Sequence, residues 1–114
     1  MRILILEDDG TRVNNFIELF HNHQLDITEN AYEAIDLLDN KAYDLIMLDH
    51  DLGEGNGSGS LVAAYLAQLP GLTATIIIHS WNAPASNAMV GYLPNAYQAP
   101  YNTEVFYDLV HQVH

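Results

Sequence analysis

The chain has 114 residues, a length that suits one domain, so we expect residues 1–114 to form a single unit. Its 15 acidic residues against three basic ones give a formal net charge of -12 at pH 7, which argues against direct binding of DNA or RNA. No apolar run approaches the ~20 residues of a membrane helix and the start is unlike a signal peptide, so we expect a cytoplasmic protein without membrane contact.

The first predicted elements are a buried strand and the helix that follows it. The apolar run 2–6 is short and ends in the acidic triplet 7–9, as expected for a strand buried on both faces. Thr11 can cap a helix whose apolar stripe extends to about residue 21. The alternating segment 25–28 predicts a second strand, which would lie at the edge of the sheet.

The middle of the chain repeats this pattern of helix and strand. Asn30 can cap a helix over 31–38, and the apolar run 45–48 predicts a third buried strand over 44–49. A glycine-rich loop, 53–59, follows that strand. Its backbone N–H groups could turn toward a phosphate, or the loop could serve only as a turn.

The last part of the chain is less regular. Ser58 or Ser60 can begin a helix that extends through residue 67, and the β-branched run 73–78 predicts a central strand. The remaining predictions, in chain order, are a short helix over 86–90, a brief strand near 96–98, and a last helix that begins after Asn102 or Thr103 and reaches residue 113.

Strand and helix therefore alternate along the whole chain. Right-handed crossovers between parallel strands then favour an α/β fold with a five-stranded parallel sheet and helices on both faces. In the flavodoxin-like strand order 2-1-3-4-5, the first and third strands are neighbours at the edge where ligands bind. The side chains predicted to meet there are Glu7, Asp8, Asp9, Asp49 and Asp51, with His79 arriving from the fourth strand.

Three segments resemble the receiver domain of bacterial two-component response regulators. Residues 3–9 are similar to that family's first strand and acidic pair, and residues 44–49 are similar to its phosphoacceptor strand. Residues 28–35 are similar to the family's second strand and the start of its second helix. The resemblance covers nearly the whole chain and implies the receiver fold.

The sequence departs from the receiver pattern where a phosphoryl group would bind. Receivers usually place Lys-Pro after the fifth strand, and here the dipeptide is Ala99-Pro100. The triplet 49–51 and the segment 79–82 instead resemble the cyclic-phosphate-processing receiver family, found in bacteria and their viruses. That resemblance implies a small anionic cyclic phosphate as the ligand. The residues to which it attaches are His50, Asp51, His79, Ser80 and Asn82.

Carboxylates that converge on one sheet edge raise one another's pKa unless a cation lies between them. Oxygen ligands favour a hard divalent ion, Mg²⁺ or Mn²⁺. We predict that Asp8 and Asp49 hold the ion, with Glu7 bound through water and Asp51 by its side chain or carbonyl. The alternative is that these acids only begin helices, where negative charge is favoured.

His50 and His79 would then act beside the ion as general acid and base in the hydrolysis of a phosphodiester. A histidine at the end of a strand can also be a hydrogen-bonded structural residue. Asp49 has two candidate catalytic roles, as a nucleophile that forms an aspartyl phosphate or as a metal ligand while water attacks. With the lysine replaced, His79 could also supply positive charge to a phosphoryl oxygen.

Ser80 and Asn82 are the predicted contacts to the phosphate ligand. An asparagine in a loop can instead cap the helix that follows it. Trp81 could stack on a base, but we expect it to be packed against the protein, because burial of aromatic area is the commonest use of tryptophan.

Three functions fit these features. The first is a metal-dependent phosphodiesterase that acts on a cyclic phosphate. The second is a signalling receiver that is phosphorylated on Asp49 and binds a protein partner or a second copy of itself through the face of its last helix. The third is a module that binds a cyclic phosphate without cutting it.

Overall fold

Strand and helix alternate through residues 1–113, which are the residues that the computed structural model describes. His114, for which the sequence predicts only a solvated position, lies outside them. None of the described helices is long and apolar enough to cross a membrane. The strands are β1 (Arg2–Leu6), β2 (Gln24–Thr28), β3 (Leu45–Leu48), β4 (Thr75–Ile78) and β5 (Tyr97–Gln98). The helices are α1 (Gly10–Leu19), α2 (Ala31–Asn40), α3 (Gly59–Ala67), α4 (Ala83–Tyr92) and α5 (Glu104–Val113).

The strands form one sheet in the order β2-β1-β3-β4-β5, and every neighbouring pair is parallel. This order confirms the predicted topology, with β2 at one edge and β4 inside the sheet. In the register of the sheet, Leu6 lies opposite Leu48, and Leu48 lies opposite Ile78. The residues that follow β1, β3 and β4 are therefore neighbours at a single edge.

Two hydrophobic cores lie on opposite faces of the sheet. Side chains of the central strands alternate between them, so Met47 faces one core and Leu48 faces the other. Helices α1 and α5 cover the first face, where Phe16 and Phe106 are fully buried. Helices α2, α3 and α4 cover the second face. Strand β3 is apolar throughout because both of its faces are covered.

Helix α1 begins earlier than predicted. The carboxylate of Asp9 accepts a hydrogen bond from the backbone N–H of Arg12 at 3.0 Å, so Asp9 caps the helix and Thr11 lies inside its first turn. Asp9 precedes Thr11 along the chain and is the stronger cap, because its charge also suits the positive end of the helix dipole. The predicted cap at Thr11 is therefore wrong.

Helix α4 is twice as long as the predicted segment 86–90, since it extends over Ala83–Tyr92. Asn82 caps it by accepting a hydrogen bond from the backbone N–H of Ala85 at 3.2 Å. Pro84 lies in the first turn, where a missing N–H costs no helical hydrogen bond. The alternative interpretation of Asn82 as a helix cap is confirmed, and the length of α4 was underestimated because the apolar periodicity of this segment is weak.

Candidate active site

Three buried polar side chains meet where β1, β3 and β4 end. Glu7, Asp49 and His79 each follow a strand by one residue and continue its hydrogen-bond ladder. One potential ligand atom from each of these side chains lies within 4.8 Å of the other two. The sheet thus brings together two acids and a histidine that are far apart in the sequence.

The carboxylate of Glu7 is fully buried and hydrogen-bonded on both oxygens. Its Oε1 lies 2.9 Å from Nε2 of His79, and its Oε2 accepts bonds from the backbone N–H groups of Asp8 and Asp9, each at 3.1 Å. Burial acts to raise the pKa of Glu7, but the bonds from His79 and from the backbone outweigh it and hold the pKa below its ordinary value. Glu7 is therefore a buried, ionised carboxylate.

His79 is the neutral partner in this contact. Burial lowers the pKa of His79, and the bond to Glu7 opposes the effect only in part. Its Nδ1 is buried without a hydrogen-bond partner, and its ring contacts Phe16 with 5.2 Å between the ring centroids. A proton on Nδ1 would be an unpaired buried donor, so the ring carries its hydrogen on Nε2 and donates it to Glu7. The catalytic role predicted for His79 stays a prediction, whereas its contacts are those of a residue that orients Glu7.

Asp49 lies beside Glu7 and is only 5% exposed. Its Oδ1 accepts a hydrogen bond from the backbone N–H of His50 at 2.9 Å. Burial, followed by the negative charge of Glu7, raises the pKa of Asp49 to about 7. Two adjacent buried carboxyl groups of this kind fit a hard divalent cation, which would allow both to ionise.

The other two predicted metal ligands lie outside this buried group. Asp8 is exposed, and the pKa of its carboxyl is raised by partial burial and by the charge of Glu7. Asp51 is also exposed, and its carboxylate contacts His50 and Asn82. The metal contacts of Asp8 and Asp51 stay predictions, and Glu7 is the acid that shares the compact group with Asp49.

His50 and Asp51 form a second polar contact at the same edge. Nδ1 of His50 lies 2.9 Å from Oδ1 of Asp51, and 22% of the His50 side chain is exposed. The Nδ2 group of Asn82 donates to both carboxylate oxygens of Asp51 at 3.3 Å. The bond with His50, assisted by the bonds from Asn82, lowers the pKa of Asp51. An ionised Asp51 therefore orients the imidazole next to Asp49.

Ser80, Trp81 and Asn82 form the turn between β4 and α4. Oγ of Ser80 is buried in the turn and accepts a hydrogen bond from the backbone N–H of Asn82 at 3.0 Å. Asn82 is both the cap of α4 and a donor to Asp51, and the ligand contacts predicted for it and for Ser80 stay predictions. Trp81 is 59% exposed, so the prediction that it is packed is wrong. The turn directs its ring outward, where Nε1 donates to the carbonyl oxygen of Tyr101 at 2.8 Å.

The family model of the cyclic-phosphate processing receiver domain matches residues 2–95. The chain belongs to this family. No curated protein matches the chain.

Solved structures of other receivers share this fold. The Mn²⁺-bound form of the response regulator Rcp1 is 21% identical, with a TM-score of 0.72 over 98% of this chain and 88% of that one. TrrA from Thermotoga maritima, in complex with Mg²⁺-BeF, is 22% identical, with a TM-score of 0.76 over 99% of this chain and 98% of that one. The phosphorylated cyanobacterial phytochrome response regulator RcpA is 19% identical, with a TM-score of 0.75 over 98% of this chain and 87% of that one. At these identities the likeness shows the receiver fold alone.

Arg12 is a residue of this receiver site that the sequence pattern did not indicate. Its Nη1 lies 3.7 Å from Oε1 of Glu7, and its guanidinium lies 5.0 Å from the centre of the Tyr101 ring. Ala99, at the position where receivers usually have lysine, is fully buried. Positive charge therefore reaches this edge from α1 and not from the end of β5. One sequence feature could have indicated Arg12 as a site residue: it is one of only three lysine and arginine residues in the chain.

The glycine-rich loop of this receiver domain is closed at its base. Asp51 and Ser58 form an antiparallel bridge, and the backbone N–H of Gly59 donates to the carbonyl oxygen of His50 at 3.0 Å. A Cβ atom on Gly59 would lie 2.0 Å from the carbonyl oxygen of Asp49, so a side chain does not fit there. The start of α3 thus lies directly against the backbone that carries Asp49.

Proposed function

We propose that this receiver domain binds a divalent cation at Glu7 and Asp49 and hydrolyses a cyclic phosphate there. The observation that carries the proposal is the His50–Asp51 contact of 2.9 Å, which lies directly after the buried carboxyl group of Asp49. Membership of the cyclic-phosphate processing family supports the ligand class. The Mn²⁺ bound to Rcp1 and the Mg²⁺ bound to TrrA support the cation.

His50 is the proposed proton-transfer residue. An ionised Asp51 accepts the hydrogen on Nδ1 of His50, and this contact leaves Nε2 as the nitrogen that exchanges a proton with water or with the ligand. Asn82 donates to Asp51 and also caps α4, so the imidazole is oriented by a fixed element of the fold. An acid that orients a catalytic histidine is a recurring arrangement in hydrolases, and here the acid, Asp51, is exposed.

The proposed reaction adds water across one P–O ester bond of the cyclic phosphate. The oxygen of water bonds to phosphorus, the ester oxygen leaves and takes up a proton, and the product is a phosphomonoester. A divalent cation at the carboxyl pair would neutralise charge on the phosphoryl oxygens and lower the pKa of bound water. His50 removes the proton from the attacking water or delivers one to the leaving oxygen, and Arg12 provides positive charge for a phosphoryl oxygen.

A turnover assay tests this proposal. The protein is incubated with 2′,3′-cyclic and 3′,5′-cyclic nucleotides, with Mg²⁺, with Mn²⁺ and with EDTA. We expect ion-dependent turnover that falls by roughly 100-fold or more in His50→Gln and in Asp49→Asn. His21→Gln, which changes an exposed histidine on the surface, is the matched control and should retain activity. No turnover of any substrate, or equal rates in the wild type and Asp49→Asn, would contradict hydrolysis. Tight binding of a cyclic phosphate without product would instead support a module that binds the ligand without cutting it.

A second candidate function is phosphorylation of Asp49 in a signalling receiver. It is favoured by the position of Asp49 at the end of β3 in a fold shared with the phosphorylated regulator RcpA. In that case a protein partner or a second copy would bind the face of α5. Treatment with a small phosphodonor followed by intact mass spectrometry tests it, and an adduct that is present in the wild type but absent from Asp49→Asn would support it.

A further inference from the structure

A cavity of about 470 Å³ opens between the start of α1 and the loops that follow β4 and β5. Its volume lies within the range of small-molecule sites. Residues that line it include Arg12, Asn15, Trp81, Tyr101 and Asn102. Arg12 also approaches Glu7 at 3.7 Å, so one side chain of the cavity wall contacts an acid of the proposed cation site.

The wall formed by Trp81 combines exposure with a fixed position. Its side chain is 59% exposed, yet its Nε1 is held by the carbonyl oxygen of Tyr101 at 2.8 Å. Tyr101 is itself buried and packs against Phe16 and Phe106. An aromatic ring held in this way loses little conformational entropy when a flat ligand stacks on it. Nucleobases are such ligands, since each has a π-face that stacks on aromatic side chains.

Arg12 marks where the anionic end of that ligand would lie. The other two basic residues are engaged elsewhere, because Arg2 contacts Gln24 and Lys41 pairs with Asp26. The guanidinium of Arg12 lies over the ring of Tyr101, and 28% of the Arg12 side chain is exposed, so the side chain is both positioned and accessible to a ligand. In a chain with a net charge of -12, a phosphate next to this cavity would be drawn to Arg12.

Polar side chains at the rim of the cavity suit the edge of a base. Oδ1 of Asn102 accepts a hydrogen bond from the hydroxyl of Tyr107 at 2.7 Å, which fixes the amide and leaves its NH₂ group as a donor. Asn15 donates to the hydroxyl of Tyr101, so a second amide is also held in place. Fixed amides beside an aromatic wall provide directional contacts in addition to stacking.

We infer that this cavity binds the nucleobase of a nucleoside cyclic phosphate, with the base stacked on Trp81 and the phosphate next to Arg12. The inference rests on the proposed function for the phosphate end of the ligand and adds the chemical class of the remainder. It assigns Trp81 as a specificity-determining residue, with no part in the bond-breaking step.

The single tryptophan of the chain makes a direct test available, because all tryptophan fluorescence comes from Trp81. The wild-type protein with Mg²⁺ is titrated with 2′,3′-cyclic and 3′,5′-cyclic nucleotides and with glycerol 1,2-cyclic phosphate, which has no base. We expect saturable quenching by at least one cyclic nucleotide and none by the base-free ligand. Absence of saturable quenching by every nucleotide, or equal quenching by the base-free ligand, would overturn the inference.

Variants extend the test to a comparison of ligands by calorimetry. Trp81→Leu should weaken nucleotide binding by roughly 5- to 150-fold and leave the base-free ligand unaffected. Arg12→Gln should weaken both ligands alike. Tyr92→Leu, which removes an exposed ring outside this cavity, is the control and should change neither. Unchanged nucleotide binding in Trp81→Leu would overturn the inference.

The same measurements separate this inference from the proposed hydrolysis. Quenching and a Trp81-dependent affinity without turnover would support the nucleobase site while contradicting hydrolysis. Turnover of nucleotides and of the base-free ligand with equal efficiency, unaffected by Trp81→Leu, would support hydrolysis while overturning the nucleobase site.

Discussion

Nε2 of His79 lies 2.9 Å from Oε1 of Glu7, and neither side chain reaches solvent. The backbone donors at Asp8 and Asp9 reach only the other carboxylate oxygen, and the guanidinium of Arg12 is farther away, at 3.7 Å. The hydrogen bond from His79 therefore replaces the water that Oε1 loses when the protein folds.

His79→Ala is expected to lower the free energy of unfolding by about 3 kcal/mol, because it removes the nearest hydrogen-bond donor of a buried carboxylate and leaves a cavity in place of a buried ring. Urea unfolding at neutral pH measures this change. His21→Ala, on the exposed surface, should change stability by less than about 0.5 kcal/mol. Equal effects of the two substitutions would show that His79 does not support Glu7.

Asp49→Asn is expected to raise the stability of the metal-free protein by about 1 kcal/mol, because it removes one of two adjacent buried carboxyl groups and keeps the volume of the side chain. Mg²⁺ should stabilise the wild type by about 2.7 kcal/mol at a hundredfold excess over its Kd, and it should not stabilise Asp49→Asn. Thermal unfolding with and without Mg²⁺ measures both effects. Asp108→Asn, at an exposed position in α5, is the control and should respond to Mg²⁺ like the wild type. A wild-type Tm that does not change when Mg²⁺ is added would contradict the cation site.

The Asp26–Tyr43 contact predicts a pH-dependent contribution to stability. The Tyr43 hydroxyl donates to Oδ2 of Asp26 at 2.7 Å, and this bond, assisted by Lys41, lowers the pKa of Asp26. A lowered carboxyl pKa stabilises the fold above the unfolded value of about 3.9, and this stabilisation is lost as the pH falls through the folded pKa.

Tyr43→Phe should therefore cost about 1 kcal/mol at pH 7, and the cost should shrink as the pH is lowered below about 3.9. Urea unfolding as a function of pH checks this prediction. Tyr32→Phe, at an exposed tyrosine in α2, serves as the control and should show no such dependence. A cost that stays constant down to the lowest accessible pH would refute the role of the Asp26 charge.

Gly59 should tolerate no side chain, because a Cβ there would lie 2.0 Å from the carbonyl oxygen of Asp49. We expect Gly59→Ala to destabilise the protein by about 3 kcal/mol or more, since relief of the clash requires movement of β3 or α3. Gly91 is a matched position, because it lies within α4 with nothing near its potential Cβ. Gly91→Ala should stabilise the protein by up to about 1 kcal/mol. Chemical denaturation measures both variants, and a similar loss of stability in each would contradict the close contact between Gly59 and the carbonyl oxygen of Asp49.

Much of the fold follows from local rules that a single sequence carries. Strand β3 and residues 3–6 of β1 are apolar because both of their faces are buried, and the handedness of parallel connections restricts the strand order. The length of helix α4 was harder to predict because its apolar periodicity is weak, although Asn82 was recognised as a possible cap for it. The packing of Trp81 was predicted wrongly, since the direction of a side chain in a turn depends on backbone geometry that composition does not encode.

The candidate site could also be predicted only in part, because local sequence rules place its residues but do not give their tertiary contacts. That Glu7, Asp49 and His79 meet at one edge could be predicted, because each directly follows a parallel strand. The solvent exposure of each side chain could not be predicted. For this reason the burial of His79 next to Glu7 and the exposure of Asp8 were not foreseen. Arg12 joins the site only through the docking of α1 near Tyr101, a tertiary relationship with no signature in the spacing of residues.

The bridge between Asp51 and Ser58 makes the intervening loop a natural place to change the length of the chain. The loop is pinned at its base, so added residues would bulge outward and leave the path of β3 and the start of α3 unaltered. Doubling the length of a flexible loop costs only about 0.6 kcal/mol in closure entropy. Asn56 also holds the loop to the start of α2, because its carbonyl oxygen accepts a hydrogen bond from the backbone N–H of Ala31 at 2.9 Å. A graft between Glu54 and Gly55 would therefore keep both attachments, and the strand that ends before Asp49 would keep its position.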